Sequence, residues 1–283
     1  MGKTQTYKVE FYIGKFLELK AHSVSCNTCR AYKYDLDKLD KNADILSLKK
    51  YDIEKQIYSL RSKYKHNHLK NIVFTFNMFF KFVKKYYIPD FNLIIEYKPN
   101  IQDLLEEKYK KRFIESSEIS ELLHSIKSEY VRDYATVQIL TGLRIGEIRA
   151  LTYEDIDIEN KTISVNKTRQ RNGEITTPKT VNSFRTIEIN DTVLNILLKR
   201  KNDEKYIFHR PVQVIEYEFR KLGINSHMLR HTHAVLLLEL DIPIKVISER
   251  LGHSFISTTL SLYSHISLSL KKDLINKLEK IEF

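Results

Sequence analysis

The stretch KTISVNKTRQRNGEITTPKTVNSFRTIEIN at 161–190 decides the fold class, because here a helix-rich chain changes its apolar period. Lys161–Thr168 alternates with the period of two that a half-buried strand requires, and Asn172-Gly173 is a two-residue hairpin signal. Glu174–Thr177 continues as a second strand. After the polar turn Thr180–Ser183, Phe184–Ile189 reads as a third. A small antiparallel three-stranded sheet is expected, with Lys179 on the tip between its second and third strands.

Outward from this sheet both flanks read as helix. Towards the N-terminus, Ser116-Ser117-Glu118 supplies a cap signal, and helical patterns run through Ser117–Ser128 and Val131–Leu140. Arg144 sits just past a Thr-Gly break, at the start of the next helical piece. Towards the C-terminus the chain is helical from Asn225 through Ile244–Arg250, and Leu270, Leu274, Leu278 and Ile281 share one face of a tail. That face is expected to pack onto a neighbouring subunit, with packing within the chain as the alternative.

The first hundred residues also carry helical spacing, in Thr28–Leu39, Tyr51–Leu60 and Leu69–Tyr87. The last includes Ile72, Phe74, Phe76, Phe79, Phe80, Phe82 and Val83, a stripe that reads as core and not as a base-stacking platform. A bundle of about four helices ending near Ile88-Pro89 is expected. Glu96–Phe113 has weak periodicity and reads as a linker. The expected organisation is a helical domain over 1–95, a linker over 96–113, and an α+β domain over 114–283 that ends in a tail helix. The fold class is thus mainly α with one small antiparallel sheet.

Composition narrows the function classes. With 283 residues and 42 % apolar content the chain is long enough for two cores, and only 7 Gly and 5 Pro suit a helical protein. No apolar run approaches the ~20 residues that span a bilayer, so a cytoplasmic, non-membrane protein is expected. The net charge is +11, and it is unevenly spread: residues 1–100 hold 19 Lys and Arg against 10 Asp and Glu. Residues 101–283 hold 28 against 26. The skew points to a polyanion gripped by the first domain, with a merely basic soluble surface as the alternative. The Lys-rich faces Lys63–Lys70 and Lys81–Lys85 are the candidates for phosphate contact. Cys26 and Cys29 lack a second ligand pair for zinc and read as helix-start residues pointing partly into the core.

Six residues carry the candidate chemistry: Arg144, Lys179, His227, Arg230, His253 and Tyr263. A guanidinium is permanently charged, and its fork matches two phosphate oxygens at once. Arg144 stands in Thr-Gly-Leu-Arg-Ile-Gly-Glu at 141–147, where Gly142 and Gly146 permit close approach and Glu147 can orient the Arg. His227 and Arg230 are three apart on one helical face in His-Met-Leu-Arg-His at 227–231. His227 and His231 also have zinc-ligand spacing, but Met228 replaces the Glu base of a zinc protease. Lys179, in Pro-Lys-Thr, offers an ammonium able to protonate a leaving oxygen. His253 follows Leu-Gly, and Tyr263 offers a phenol nucleophile that needs cations nearby because its ordinary pKa is about 10.

In order, spacing and flanking residues this set resembles the tyrosine recombinases, or phage integrases, over roughly residues 110–270. The resemblance extends more weakly to the N-terminal bundle, which is similar to that family's core-site-binding domain. It implies a site-specific DNA recombinase in which Arg144 and Arg230 clamp the scissile phosphate. Lys179 would protonate the departing 5′-oxygen, His227 would act as acid/base near the nucleophile, and His253 would stabilise the transition state. Tyr263 would form a 3′-phosphotyrosyl bond. The implied partners are double-stranded DNA and further copies of the chain, as a tetramer on DNA, with accessory DNA-bending or directionality factors. The implied cofactors are none, and no metal. An additional arm-binding module is not expected. The rivals are a type IB topoisomerase, a DNA-binding protein without catalysis, and a metal hydrolase.

Overall fold

Val9, Tyr12, Ile13 and Phe16 recur at i, i+3, i+4 and i+7, and α1 (Val9–Ala21) buries all four. The computed structural model describes residues 7–109, 113–177, 183–201 and 204–252, and the chain divides into two units, Met1–Lys110 and Lys111–Phe283. In the first unit α1 is followed by α2 (Cys26–Leu36), α3 (Lys50–Ser59) and α4 (His66–Tyr86). Ser25 caps α2 by accepting from the Thr28 N–H at 3.3 Å. Cys26 is exposed and Cys29 half-buried, so only the second points partly inward.

The long α4 forms the centre of this unit. Leu69, Ile72, Phe76, Phe79, Phe80 and Val83 are all essentially buried, and Phe79 meets Phe16 edge-on at 5.8 Å. Phe74 departs from the expected stripe and is 64 % exposed. Thr75 donates to the buried Asp35 carboxylate at 2.9 Å, which joins α4 to α2 without leaving that charge unpartnered. Asn77 exchanges two 2.8 Å hydrogen bonds with the Ile95 backbone and so anchors the chain that follows the bundle.

Within the stretch read as a linker lies a helix, α5 (Ile101–Tyr109). Its start is set by a reciprocal cap: Asp103 N–H donates to Asn100 at 2.7 Å, and Asn100 N–H to Asp103 at 3.0 Å. Ile101, Leu104 and Leu105 are exposed. Their helical spacing is therefore not matched by burial over 101–106, and the cap defines where the helix begins.

The second unit begins with a short 3-10 turn at Ser116–Glu118, then α6 (Ile119–Ser125), α7 (Glu129–Thr141) and α8 (Ile145–Ala150). The strands are sorted differently from the sequence expectation. The three-stranded antiparallel sheet has the order β1 (Ile156–Asp157), β2 (Thr162–Val165), β5 (Arg185–Glu188), with buried Ile163 opposite buried Ile187. The hairpin at Asn172-Gly173 is a separate ladder of β3 (Thr168–Arg169) and β4 (Ile175–Thr176). Continuing β2 to Thr168 would place Lys167 on the inward face after Ile163 and Val165. The strand stops instead, and Lys167 pairs with Asp155 at 2.7 Å. In the hairpin, Gln170 N–H bonds Glu174 O at 2.8 Å, so three residues make the connection and Gly173 takes φ +89° as its bulge.

Helices α9 (Asp191–Lys199), α10 (Val212–Lys221), α11 (Ser226–Glu239) and α12 (Ile244–Leu251) follow among the described residues. Tyr134 and Val137 of α7, Ile148, Ile163, Ile187, Leu197, Phe208, Phe219 and Leu229 share one core. Truncating a member such as Phe208 would cost about 3–5 kcal/mol. A smaller cluster of Ala234, Val235, Leu238, Ile247 and Leu251 binds α12 to the end of α11. Among the described residues, no helix is long and apolar enough to cross a membrane.

Candidate active site

Two helix C-termini create the site. Helix α7 ends at Thr141 with Gly142 as its cap at φ +66°, and α12 ends at Leu251 with Gly252 in the same left-handed region. Any side chain at Gly142 would be strained and would drive a Cβ to 2.5 Å from the His233 ring and 2.7 Å from Leu251. The last carbonyls of a helix have no intrahelical partner and carry the negative end of its dipole. Here guanidinium groups satisfy them.

Arg230, on α11, is 4 % exposed and donates to Gly142 O at 2.6 Å and Leu251 O at 2.5 Å, one carbonyl from each helix end. Burial, then the charge of Arg144, lowers its pKa to about 9, and it stays a cation at neutral pH. Arg144, the N-cap of α8, donates through Nη2 to Gly252 O at 2.9 Å and through Nη1 to Glu147 at 2.8 Å. Among the described residues each guanidinium thus uses two of its five N–H groups, which leaves three for an anion.

Glu147 is 3 % exposed and also accepts from the Arg144 backbone N–H at 2.8 Å. Burial alone would push its carboxyl up. Hydrogen bonds and charge from Arg185, then from Arg144, overrule burial and bring it down to about 2. The orienting role expected for Glu147 is therefore present in the geometry. Gly146 packs onto the Thr168 hydroxyl of β3, so both glycines are closely approached by side chains of the protein itself.

His227 lies one turn before Arg230 on α11, whose N-cap Asn225 accepts from Met228 N–H at 3.0 Å. The residue is exposed, yet desolvation, then Arg230 and Arg144, lower its pKa and favour the neutral ring. A neutral imidazole can accept a proton. Its ring meets His231 edge-on at 5.0 Å, a packing contact. Among the described residues no three His, Cys, Asp or Glu side chains form a cluster able to hold a metal.

Arg144, His227 and Arg230 line one open pocket of about 550 Å³, together with Gln138, Arg171, Glu216 and Arg220. The structure thus brings together three of the six residues singled out by sequence. Lys179, His253 and Tyr263, and the tail with Leu270, Leu274, Leu278 and Ile281, lie outside the described residues. Several neighbours carry no signal in the sequence. Arg185 pairs with Glu147, and Arg250 donates to His233 Nε2 at 3.1 Å while His233 Nδ1–H donates to Ile139 O at 2.8 Å. Arg171, on the β3–β4 hairpin, pairs with Glu216 of α10 beside the pocket.

The phage integrase family model matches residues 112–269, more than half of the chain and all of the described site. The chain belongs to the phage integrase family. It is 32 % identical over 226 residues to the integrase of Staphylococcus phage L54a, an alignment covering 65 % of this chain and 64 % of that one. It is 29 % identical to the ICEBs1 integrase of Bacillus subtilis, over 64 % of this chain and 58 % of the relative. The chain thus spans less than two thirds of the length of each of these two integrases. A tyrosine recombinase of Agathobacter rectalis is 26 % identical over 97 % of this chain and 98 % of its own. Among solved structures, the Tn1549 transposon integrase in complex with a circular intermediate DNA superposes with a TM-score of 0.77 at 19 % identity, covering 96 % of this chain and 99 % of that one. A lambda integrase dimer bound to a core site gives 0.68 at 14 %, over 92 % and 78 %. At these identities the structural likeness speaks to the integrase fold.

Proposed function

We propose that this integrase-family chain is a site-specific DNA recombinase that cuts and rejoins strands through a 3′-phosphotyrosyl intermediate. One observation carries the reading: two guanidiniums from different helices, each with spare N–H groups, meet a neutral imidazole at one open pocket. A phosphate there would accept from Arg144 and Arg230 while its negative charge grows in the transition state. Tyr263 attacks phosphorus, its proton passing towards His227, and Lys179 gives a proton to the departing 5′-oxygen. His253 hydrogen-bonds the pentacoordinate phosphorus group. A 5′-hydroxyl of a partner strand then reverses the step, so the bond energy is retained without a nucleotide or a metal.

Duplex DNA is the partner, gripped by residues 1–95 as a core-site domain, and four copies act on two sites. Support comes from the basic excess of residues 1–100 and from the DNA in the complexes of the Tn1549 and lambda integrases. The place of action is the cytoplasm, where the DNA lies. The test is a suicide substrate whose nick lets the cleaved strand escape. Wild type is expected to trap a covalent protein–DNA adduct and Tyr263→Phe to trap none; adduct formation by both would remove Tyr263 from its role. Relaxation of plasmids lacking any specific site would point to a topoisomerase.

A further inference from the structure

Arg185, the first residue of β5, is a charged side chain left only 7 % exposed, and its guanidinium ties together three segments. Nη1 and Nη2 donate to the two Glu147 oxygens at 3.2 and 2.9 Å. Nε donates to Arg250 O at 2.7 Å, and Nη1 also to Ser183 O at 3.1 Å. Glu147 holds Arg144, and Arg250 lies in the last turn of α12, two residues before the Gly252 carbonyl that also holds Arg144.

We propose that Arg185 is a positioning residue for the phosphate clamp, acting on Arg144 through Glu147 and through the end of α12. This rests on the recombinase reading above. The physical reason is charge balance in a buried place. Glu147 takes four hydrogen bonds, two on each oxygen, half from Arg144 and half from Arg185. Two guanidiniums against one carboxylate leave one net positive charge, and the half-exposed Arg144 is the member that faces the pocket. Without Arg185, Arg144 and Glu147 form a neutral pair. Arg144 then neutralises the buried carboxylate, and its attraction for a phosphate falls.

The experiment is single-turnover cleavage of the suicide substrate by the full chain, with DNA affinity and melting temperature measured alongside. Arg185→Met is expected to lower the cleavage rate constant at saturating protein by about 100-fold, with DNA affinity within about threefold. The double variant Arg185→Met, Glu147→Gln removes both charges, returns the surplus to Arg144, and is expected to cleave about 10-fold faster than Arg185→Met alone. A purely structural Arg185 predicts the opposite, since the double variant lacks more contacts. Should Arg185→Met fail to fold, Arg185→Lys serves: one ammonium cannot reach all four acceptors, and about a 10-fold loss is expected. Cleavage by the folded Arg185→Met, or by Arg185→Lys in its place, within threefold of wild type overturns the proposal. So does a folded double variant no faster than Arg185→Met. A wild type that traps no adduct at all overturns the recombinase reading itself, and this proposal with it.

Discussion

The two units handle charge in opposite ways. In the first, the interior is aliphatic and aromatic around Phe16, Phe76, Phe79 and Phe80, and Lys63, Lys65, Lys70, Lys81, Lys84 and Lys85 stand exposed. Asp35 is the buried carboxylate there, held by the Thr75 hydroxyl and, at 3.8 Å, by the Lys38 ammonium one turn on. In the second unit, Glu147, Arg149, Arg230 and Asp155 are buried, the Arg185 side chain is only 7 % exposed, and carbonyls at helix ends and opposite charges receive most of them. Exposed cations are screened over about 8–10 Å of salt solution and are individually replaceable. Buried ones act in a low dielectric, their geometry is fixed before any ligand arrives, and removing one strands its partners. The first arrangement suits a grip on a uniform polyanion. The second suits one phosphate at one place.

The largest expected effect breaks the second arrangement. Arg230→Ala removes a guanidinium and leaves the carbonyls of Gly142 and Leu251 without their donor. Strand cleavage is expected to fall by about 1,000-fold or more, read as adduct formed on the suicide substrate. Arg230→Lys should rescue little, because one ammonium cannot span two helix ends as the fork does. Activity within tenfold of wild type in either variant would show that the clamp is not where cleavage is determined.

A smaller effect appears with acid. His233 is fixed as the neutral Nδ1–H tautomer between Ile139 O and the Arg250 guanidinium, and burial, then Arg250, pushes its pKa down to about 3. The unfolded ring titrates near 6.5, so below that pH the unfolded chain binds a proton that the folded one refuses. The stabilisation is present above about pH 6.5 and is lost as pH falls towards 3. Between pH 7 and pH 5 this amounts to about 2 kcal/mol. Hydrogen exchange at the α11 amides should show the loss in wild type and a flatter response in His233→Phe. An equal loss in both would assign the acid sensitivity elsewhere.

The contrast also explains what could be read from the chain alone. Helices α2, α3 and α4 are legible because apolar spacing is local, and His227 with Arg230 is legible because three residues put both on one face. Helix α5 reads as a linker although Ile101, Leu104 and Leu105 stand at helical spacing: the stretch is short and charged, that face is exposed, and the start is set by the Asn100–Asp103 cap. The strands were legible as strands, but their partners were not: the run expected to pair with Glu174–Thr177 pairs across to Arg185–Glu188. Pairing is a property of the folded chain. The same holds for Arg185: apart from Ser183 O its acceptors lie 38 and 65 residues away, so its neighbours in sequence do not reveal what it pairs with. Motifs reveal the groups that face a ligand. The groups that hold them are set by packing.

The smallest effect should come from the surface lysines, and it separates grip from chemistry. Replacing Lys63, Lys65 and Lys70 together by Gln removes exposed charge without opening the core, since none of the three is buried. If each neutralises one phosphate, the slope of log affinity against log salt becomes shallower by about 2–3. Near physiological salt any one of them alone should matter by only a few-fold. Once DNA is saturating, the cleavage rate is expected to equal that of wild type, because exposed, screened cations act on binding and not on the chemical step. An unchanged slope would remove this face from the DNA contact. A slowed cleavage step at saturation would mean that the first unit does more than hold, and the division between a screened grip and a buried clamp would fail.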